Sequence, residues 1–212
     1  MINDKHKFIF IHIPKCAGSS IEFLGRQGLL GGKNKMISGW DKDKKVWQQH
    51  CTILQLQQLY NIEVNNYFTF TFTRNPWDKA VSDYKSWFRP SSPFKDVVKN
   101  TTLKDYLLCR NGYEQINHLD NSLGRGDHFR SQYEYIIDEN EKPIIDYVGK
   151  FETYQEDFNL VCDKIGIPRP QLPHKNKSNH KHYTEYYNDE TREIVATKYA
   201  RDIEYFGYKF EP

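Results

Sequence analysis

Residues 7–20 of the chain read KFIFIHIPKCAGSS, and this stretch decides the fold. The segment 7–13 is short and rich in β-branched and aromatic side chains, which is typical of a buried strand. Pro14 ends this strand, and a small polar loop then leads to Ile21, where the pattern predicts the first turns of a helix. The stretch therefore predicts a strand, a tight turn and a helix in succession.

The turn between these two elements carries the residue types of an anion-binding loop. A helix N-terminus exposes unpaired N–H groups and the positive end of the helix dipole. Lys15 adds a charge, and Gly18 lets the backbone come close to a ligand. Ser19 and Ser20 add hydroxyl donors. The loop is not a Walker A motif, GxxxxGK[ST], because its lysine precedes the glycine and no lysine follows it. An ordinary turn with a serine cap explains the same residues equally well.

A second strand, turn and helix lie in residues 67–88. The alternating YFTFTFT of residues 67–73 predicts a strand, and Pro76 suits the first position of the helix that we expect to follow. Arg74 comes directly after the strand, and its forked donors suit a phosphate. Ser82 lies about two turns into the helix, where it can face the sheet edge. On spacing alone, a salt-bridged arginine and a surface serine explain these two residues better.

Strands alternate with helices along the whole chain, which predicts an α/β fold with a mainly parallel central sheet flanked by helices. We expect one domain over residues 1–212. Open sheets of this class bind ligands at the carboxyl ends of their strands, where both anion-binding turns lie. One ligand with two separated phosphate-like groups would explain both turns. The remaining patterns predict helices at 53–60, 151–165 and 190–205 and short strands at 133–137 and 144–148.

Composition excludes several classes of protein. The 212 residues carry 30 Lys and Arg against 28 Asp and Glu, a balance unlike that of a bulk nucleic-acid binder. With 4 Trp, 15 Tyr and 13 Phe the chain is unlike a disordered one. No apolar run resembles a membrane span or a signal peptide, so we expect a cytoplasmic protein with no transmembrane segment. The scattered Cys16, Cys51, Cys109 and Cys162 predict reduced thiols, and no metal site is expected.

Two segments resemble a known family. Residues 10–20, FIHIPKCAGSS, are similar to the 5′-phosphosulfate-binding loop of sulfotransferases, and residues 70–84, FTFTRNPWDKAVSDY, resemble their 3′-phosphate-binding segment. The resemblance is greatest to carbohydrate O-sulfotransferases of the heparan 2-O and chondroitin/dermatan type. It implies a P-loop-like sulfotransferase domain, 3′-phosphoadenosine 5′-phosphosulfate (PAPS) as the sulfuryl donor, and a carbohydrate or glycoconjugate acceptor. It continues in residues 149–152, 158–166, 172–178 and 199–210.

The resemblance also implies three sets of donor-binding residues. They are Lys15, Gly18, Ser19 and Ser20 for the 5′-phosphosulfate, Arg74 and Ser82 for the 3′-phosphate, and Lys175, Lys177 and Ser178 for a segment that closes over the nucleotide. A solvated basic loop explains the third set equally well. The family usually has threonine where this chain has Cys16, whose backbone can still serve. The Golgi members carry a membrane anchor, which we do not expect in this chain, so we do not expect their location to transfer.

His50 occupies the place of the family's base histidine, between the two motifs and ahead of a short helix. An imidazole with a pKa of about 6.5 is largely neutral near pH 7, as a general base must be. Lys15 supplies positive charge for the leaving phosphate oxygen. His12 is expected to be packed or hydrogen-bonded within its strand.

Acceptor contacts are expected from the 25–39 loop and from residues 89–132. Within the second range, His128, Arg130 and Gln132 are candidates for contact with the acceptor. Trp40, Trp47 and Trp87 could stack on sugar rings, although the position of Trp87 on the helix favours core packing. The sequence does not indicate which hydroxyl is sulfated or the oligomeric state.

Three other functions compete with sulfuryl transfer. A P-loop-type nucleotide-dependent kinase fits the first strand and helix but lacks GK[ST] and a clear Mg²⁺-binding aspartate. A non-catalytic nucleotide-binding protein would not need both Lys15 and His50. Acyl transfer by Cys51 would use the adjacent His50, and neighbours along a chain rarely align as nucleophile and base.

Overall fold

A computed structural model describes residues 1–43, 46–117, 126–173 and 181–211. The chain forms two compact units, one made of residues 1–74 with 132–175 and the other of residues 75–131 with 176–212. The single domain over residues 1–212 stays a prediction. Among the helices of the described ranges, none is both long enough and apolar enough to cross a lipid bilayer.

The first unit is built on a five-stranded sheet with the order β3-β1-β2-β6-β7, accompanied by a separate two-stranded ribbon of β4 and β5. The strands are β1 (Ile2–Asn3), β2 (Phe8–Ile11), β3 (Asn34–Lys35), β4 (Trp40–Asp41), β5 (Val46–Trp47), β6 (Phe68–Thr73) and β7 (Tyr147–Lys150). The short strand β1 lies between β3 and β2 and pairs antiparallel with both of them. The three longest strands, β2, β6 and β7, pair in parallel.

The two central strands are the ones that the sequence predicts. Strand β2 is buried along its whole length, and β6 is buried except at its first residue. Their parallel register pairs Phe8 with Phe68 and Ile11 with Thr71, so their carboxyl ends lie at the same sheet edge. The α/β fold with a parallel centre is therefore confirmed, and the segments after β2 and β6 begin side by side.

Eight α-helices lie in the described ranges. They are α1 (Gly18–Arg26), α2 (Ile53–Tyr60), α3 (Pro76–Ser86), α4 (Lys95–Val98), α5 (Leu103–Leu107), α6 (Tyr154–Ile165), α7 (Asp189–Lys198) and α8 (Ala200–Phe206). In the first unit, α6 packs on β6 and β7 with Phe158 and Val161 fully buried. Helix α2 begins with a capping box between Thr52 and Gln55, as its sequence predicts.

The second unit is a helical assembly around an aromatic core. Asn75 caps α3 by accepting a hydrogen bond from the N–H of Trp77, and Pro76 occupies the first helical turn. The core combines apolar side chains of α3, α5 and α7 with rings from the intervening segments. Its largest fully buried members are Tyr106 and Tyr113. Helix α3 thus packs one face against a hydrophobic interior.

Two predictions of secondary structure are wrong. The helix expected at 190–205 is two helices, because Tyr199 leaves the helical conformation with φ −115° and ψ 29°. The break allows both Tyr199 and Asp202 to be buried. The strands expected at 133–137 and 144–148 are replaced by a 3₁₀ turn at Tyr133–Tyr135, an isolated bridge between Ile137 and Pro143, and β7. In the turn, the consecutive residues Tyr135 and Ile136 are both fully buried.

Candidate active site

The loop after β2 has an unusual backbone. Lys15 and Ala17 both adopt the left-handed conformation, with φ of 67° and 61°, on either side of Cys16. A residue other than glycine loses about 1–2 kcal/mol in this conformation, and such strain concentrates at functional sites. Backbone turns of this kind direct successive N–H groups into a concave, anion-binding surface. The backbone of the loop is compatible with the predicted anion-binding role, which stays a prediction.

Helix α1 begins at Gly18, directly after this loop. Its N-cap residue Ala17 provides no side-chain cap, and the first turn contains no acidic residue. The positive end of the helix dipole is therefore not offset by a carboxylate from its own first turn. Tyr154 of α6 contacts the loop by donating a hydrogen bond from its hydroxyl to the carbonyl of Ala17 at 2.7 Å.

Gly18 is required by its neighbour in the fold. A Cβ atom at this position would lie 2.3 Å from Cδ2 of His12 and 2.5 Å from Nε2. The imidazole of His12 thus packs directly on the glycine Cα. The sequence suggests this glycine for close approach of an anion, and the structure adds a second reason within the protein itself.

Ser19 is half-buried, whereas Ser20 is 2 % exposed. The hydroxyl of Ser20 donates to the carbonyl of Pro173 at 2.7 Å. Ser20 therefore ties α1 to the segment that leads into residues 174–180. The predicted nucleotide-closing residues Lys175, Lys177 and Ser178 fall within that segment and lie outside the described residues.

Arg74 reaches the same loop from the end of β6. Its guanidinium donates from Nη1 to the carbonyl of Lys15 at 3.1 Å and stacks over the ring of Phe151, 4.1 Å from the centroid. Stacking on an aromatic face and a backbone contact both fix the orientation of a guanidinium. The structure thus brings together Lys15, Gly18 and Arg74, which the sequence places on two separate turns.

Gln132 holds the two turns together. This residue is fully buried, and its Oε1 accepts hydrogen bonds from the backbone N–H of Arg74 at 2.8 Å and from the thiol of Cys16 at 3.2 Å. Its Nε2 donates to the carbonyl of Arg74 at 2.8 Å. The sequence suggests Gln132 as an acceptor contact, and this suggestion is wrong, because its amide is buried against the two turns. No local pattern could have revealed a contact across 58 residues.

His12 belongs to a buried polar network below the loop. Its Nδ1 lies 2.8 Å from Oε1 of Glu22, and Gln49 donates to Oε2 of the same carboxylate at 2.8 Å. Burial by itself raises the pKa of Glu22, but the hydrogen bond and charge of His12, with a contribution from Arg26, lower the pKa overall. The expectation of a packed and hydrogen-bonded His12 is confirmed.

His50 lies next to this network. It ends the 3₁₀ turn Gln48–His50, is half-buried, and stands edge-on to His12 with ring centroids 5.0 Å apart at 82°. The ring of His12 thus contacts both His50 and Gly18, the first residue of α1. The neighbouring Cys51 is buried and donates toward the carbonyl of Trp47 at 3.8 Å, which disfavours its thiol as a nucleophile.

Ser82 belongs to the second unit, where it is 5 % exposed on α3. In the same unit, His128 is hydrogen-bonded to Asp83, and Arg130 is half-buried. The predicted core position of Trp87 is confirmed, with 6 % of its surface exposed. In the first unit, Trp40 and Trp47 pack against each other on β4 and β5, with ring centroids 6.0 Å apart.

Known proteins resemble this chain over nearly its whole length. Residues 1–209 match the model of the sulfotransferase family. The chain is 24% identical to carbohydrate sulfotransferase 9 of Homo sapiens, over 95% of this chain and 47% of that protein. It is 23% identical to carbohydrate sulfotransferase 14 of Danio rerio, over 98% of this chain and 61% of that protein. An uncharacterized protein of Archaeoglobus fulgidus is 30% identical over 49% of this chain and 72% of its own length.

The chain spans about half to two thirds of the length of the carbohydrate sulfotransferases named here. No solved structure matches it significantly. The family match begins before the loop after β2 and ends beyond α8, so it includes every described residue of the candidate site. The resemblance to sulfotransferases is thereby confirmed: the chain belongs to the sulfotransferase family.

Proposed function

We propose that this protein transfers the sulfuryl group of PAPS to a hydroxyl group of a carbohydrate acceptor. The observation that carries the proposal is the contact between Arg74 and the carbonyl of Lys15. This contact joins a guanidinium to the loop at the N-terminus of α1, in which two residues have left-handed backbone angles. Two kinds of group that can bind an anion, a guanidinium and a helix N-terminus, thus meet at one sheet edge. A donor with phosphate groups at both its 5′ and 3′ ends needs this combination.

Donor binding is assigned to residues of both motifs. Lys15, Gly18 and Ser19 would bind the 5′-phosphosulfate through charge, backbone N–H groups and a hydroxyl. Both donors of Ser20 already have partners, the hydroxyl in the carbonyl of Pro173 and the backbone N–H in the carbonyl of Ala17 at 3.0 Å, so a role of Ser20 in donor binding rests on the sequence resemblance alone. Arg74 would bind the 3′-phosphate. The roles of Ser82 with Arg74, and of Lys175, Lys177 and Ser178 in closing over the nucleotide, rest on the sequence resemblance alone.

The proposed chemistry needs one proton acceptor and one cation. The donor supplies an activated sulfuryl group, which the acceptor hydroxyl oxygen attacks as the bond to the phosphate oxygen breaks. His50 would take the hydroxyl proton, and the ammonium of Lys15 would offset the charge on the departing phosphate oxygen. The edge contact with His12 supports this role by fixing the position of the His50 ring. No metal ion is needed in this scheme.

The acceptor class rests on the relatives. Two of them are named carbohydrate sulfotransferases, and they match 95% and 98% of this chain. A sugar hydroxyl is therefore the acceptor that we propose. The proposal of a cytoplasmic location rests on the sequence alone.

The function is tested by incubating the full chain with ³⁵S-labelled PAPS and a panel of unsulfated glycans in the presence of EDTA. Transfer of label to at least one glycan is expected, and the His50→Ala variant should transfer none. Label transfer from γ-³²P-ATP that requires Mg²⁺, with none from PAPS, would instead identify a kinase. Tight binding of adenosine 3′,5′-bisphosphate with no transfer from either donor would identify a non-catalytic nucleotide-binding protein.

A further inference from the structure

A buried carboxylate lies one helical turn after the start of α1. Glu22 follows Gly18 by four residues, so the two share one face of the helix. Only 2 % of the Glu22 side chain is exposed. A carboxylate is costly to bury unless hydrogen bonds satisfy it, so its partners decide what this charge does in the fold.

Each oxygen of Glu22 binds a different side chain. Oε1 lies 2.8 Å from Nδ1 of His12, and Oε2 accepts a hydrogen bond from Nε2 of Gln49 at 2.8 Å. Nε2 of Gln49 also lies 3.4 Å from Nδ1 of His12, so the three polar groups meet at one place. An ionised carboxylate can only accept, so Nδ1 of His12 carries the proton in its bond to Glu22. One carboxylate thus holds two side chains at once.

Both of these side chains adjoin His50. Gln49 directly precedes His50 in the 3₁₀ turn Gln48–His50, and its hydrogen bond to Glu22 ties that turn to α1. The ring of His12 contacts the ring of His50 edge-on, with centroids 5.0 Å apart. A single 3₁₀ turn has few hydrogen bonds of its own, so contacts from outside contribute to its position. Glu22 therefore acts on His50 by two routes, one along the chain and one through a ring.

Two further positive groups face Glu22. Nη2 of Arg26 lies 3.6 Å from Oε2, which is beyond hydrogen-bond distance, and 51% of the Arg26 side chain is exposed. The amino group of Met1 donates to a backbone carbonyl at 2.9 Å. Burial raises the pKa of Glu22, but its hydrogen bond with His12 and these charges lower it overall, so the carboxylate is ionised at neutral pH. The short hydrogen bonds that orient it come from His12 and Gln49.

We propose that Glu22 is a positioning residue for His50, acting through Gln49 and His12. The carboxylate holds the turn that ends at His50 against α1, whose N-terminus belongs to the candidate donor site. A general base must lie within hydrogen-bond reach of the proton that it removes, and a misplacement of about 1 Å can cost roughly 10²-fold in rate. The inference rests on the proposed function for the role of His50 as the base.

The position of His50 is tested without turnover, by NMR on the full chain with isotope-labelled histidine rings. His50→Gln assigns the ring signal, and wild type should show cross-relaxation between the ring protons of His50 and His12. Gln49→Met keeps the side-chain length but removes the donor to Glu22. It should shift the His50 signal and weaken the cross-peak. Gln58→Met makes the same change on the exposed side of α2 and should alter neither.

The consequence for the reaction is tested by steady-state kinetics with PAPS. Gln49→Met should lower kcat roughly 10- to 100-fold. The KM for PAPS and the affinity for adenosine 3′,5′-bisphosphate should stay within about twofold of wild type, because the donor-binding groups are untouched. A general loss of structure would not separate kcat from donor binding in this way.

An exchange of the two residues tests the contact itself. Gln49→Glu places two carboxylates against each other and should also lower kcat. Adding Glu22→Gln restores one carboxylate and one amide in exchanged places, because Gln at position 22 can accept from Nδ1 of His12 and donate to Glu at position 49. The double variant should recover most of the kcat that Gln49→Glu loses, together with the cross-peak between His50 and His12.

The proposal is overturned if wild type lacks the cross-peak, if Gln49→Met leaves the His50 signal and cross-peak unchanged, or if the double variant recovers nothing. If Gln49→Met does not fold, the comparison of Gln49→Glu with the double variant decides.

Failure of the positioning role and failure of the proposed function are distinguishable. A protein that transfers nothing from PAPS, yet shows the NMR changes at His50, would contradict sulfuryl transfer and leave the positioning role intact. Normal transfer by wild type, with a His50 ring that is unchanged in Gln49→Met, would do the reverse.

Discussion

The side-chain amide of Gln132 forms two hydrogen bonds with the backbone of Arg74, each of 2.8 Å: Oε1 accepts from the N–H of Arg74, and Nε2 donates to its carbonyl. The same amide oxygen accepts the thiol of Cys16. Gln132 thereby copies the pairing of a neighbouring strand at the end of β6 while also contacting the loop after β2. Gln132 therefore joins the segments after β2 and β6, in addition to the hydrogen bond from Arg74 to the carbonyl of Lys15.

Replacing Gln132 by glutamate should weaken binding of adenosine 3′,5′-bisphosphate and lower stability. The substitution keeps the shape of the side chain but removes the donor to Arg74 and buries a carboxylate, at a cost of about 1–3 kcal/mol. Calorimetric titration and thermal unfolding would measure both effects. Gln58→Glu on the exposed side of α2 is the matched control and should change neither quantity. Wild-type affinity and stability in Gln132→Glu would contradict the role.

Gly18→Ala should destabilise the protein by about 1–3 kcal/mol, because the new methyl group would overlap the imidazole of His12. Chemical denaturation would measure this loss. In combination with His12→Ala, much of the added cost should disappear, because the clashing ring is then absent. Strictly additive losses in the double variant would show that the two residues do not interact.

His50→Ala should abolish sulfuryl transfer while leaving affinity for adenosine 3′,5′-bisphosphate within about twofold of wild type. A general base contributes roughly 10²- to 10⁴-fold to a rate, and the imidazole is not among the proposed donor-binding groups. Radiolabel transfer and calorimetry test the two halves separately. His182→Ala replaces an exposed histidine and should retain full activity. Wild-type turnover in His50→Ala would remove His50 from the mechanism.

Glu22 should contribute stability that is lost in acid. Although burial raises its pKa, the hydrogen bond and charge of His12 lower it below the usual value of 4.5. The folded state therefore binds the Glu22 proton less readily than the unfolded state. Its contribution is present above pH 4.5 and is lost as the pH falls through the lowered folded pKa. Unfolding curves of wild type and Glu22→Gln between pH 7 and 3 would measure it.

In that series, Glu22→Gln should be the less stable protein at pH 7, and the difference should shrink toward pH 3. A difference that stays constant across the whole range would show that ionisation of Glu22 contributes nothing.

Local patterns in the sequence predict the elements that carry the donor site. Three local patterns predict these elements: the alternating aromatic and threonine residues of β6, the apolar run of β2, and the proline at the start of α3. Each pattern spans only a few residues, so it is visible in the sequence without knowledge of the fold. The residues that join those elements could not be predicted this way. Gln132 contacts Arg74 across 58 residues, and the need for Gly18 arises from the ring of His12. Both depend on tertiary packing.

The break at Tyr199 is a case in which the local sequence pattern predicts the wrong structure. Residues 190–205 have a continuous helical pattern, and packing of Tyr199 into the aromatic core overrides it. Local propensity is weak compared with the burial of a large aromatic side chain.

The central claim is that Arg74 and the loop after β2 bind one nucleotide carrying two phosphate groups, and calorimetric titration with adenosine 3′,5′-bisphosphate tests it most directly. Wild type should bind one equivalent, and Arg74→Ala should bind roughly 10- to 100-fold more weakly, as expected for the loss of charge-assisted hydrogen bonds. Arg169→Ala removes an exposed arginine paired with Asp163 and should bind as wild type does. Equal affinity of wild type and a folded Arg74→Ala variant would contradict the account.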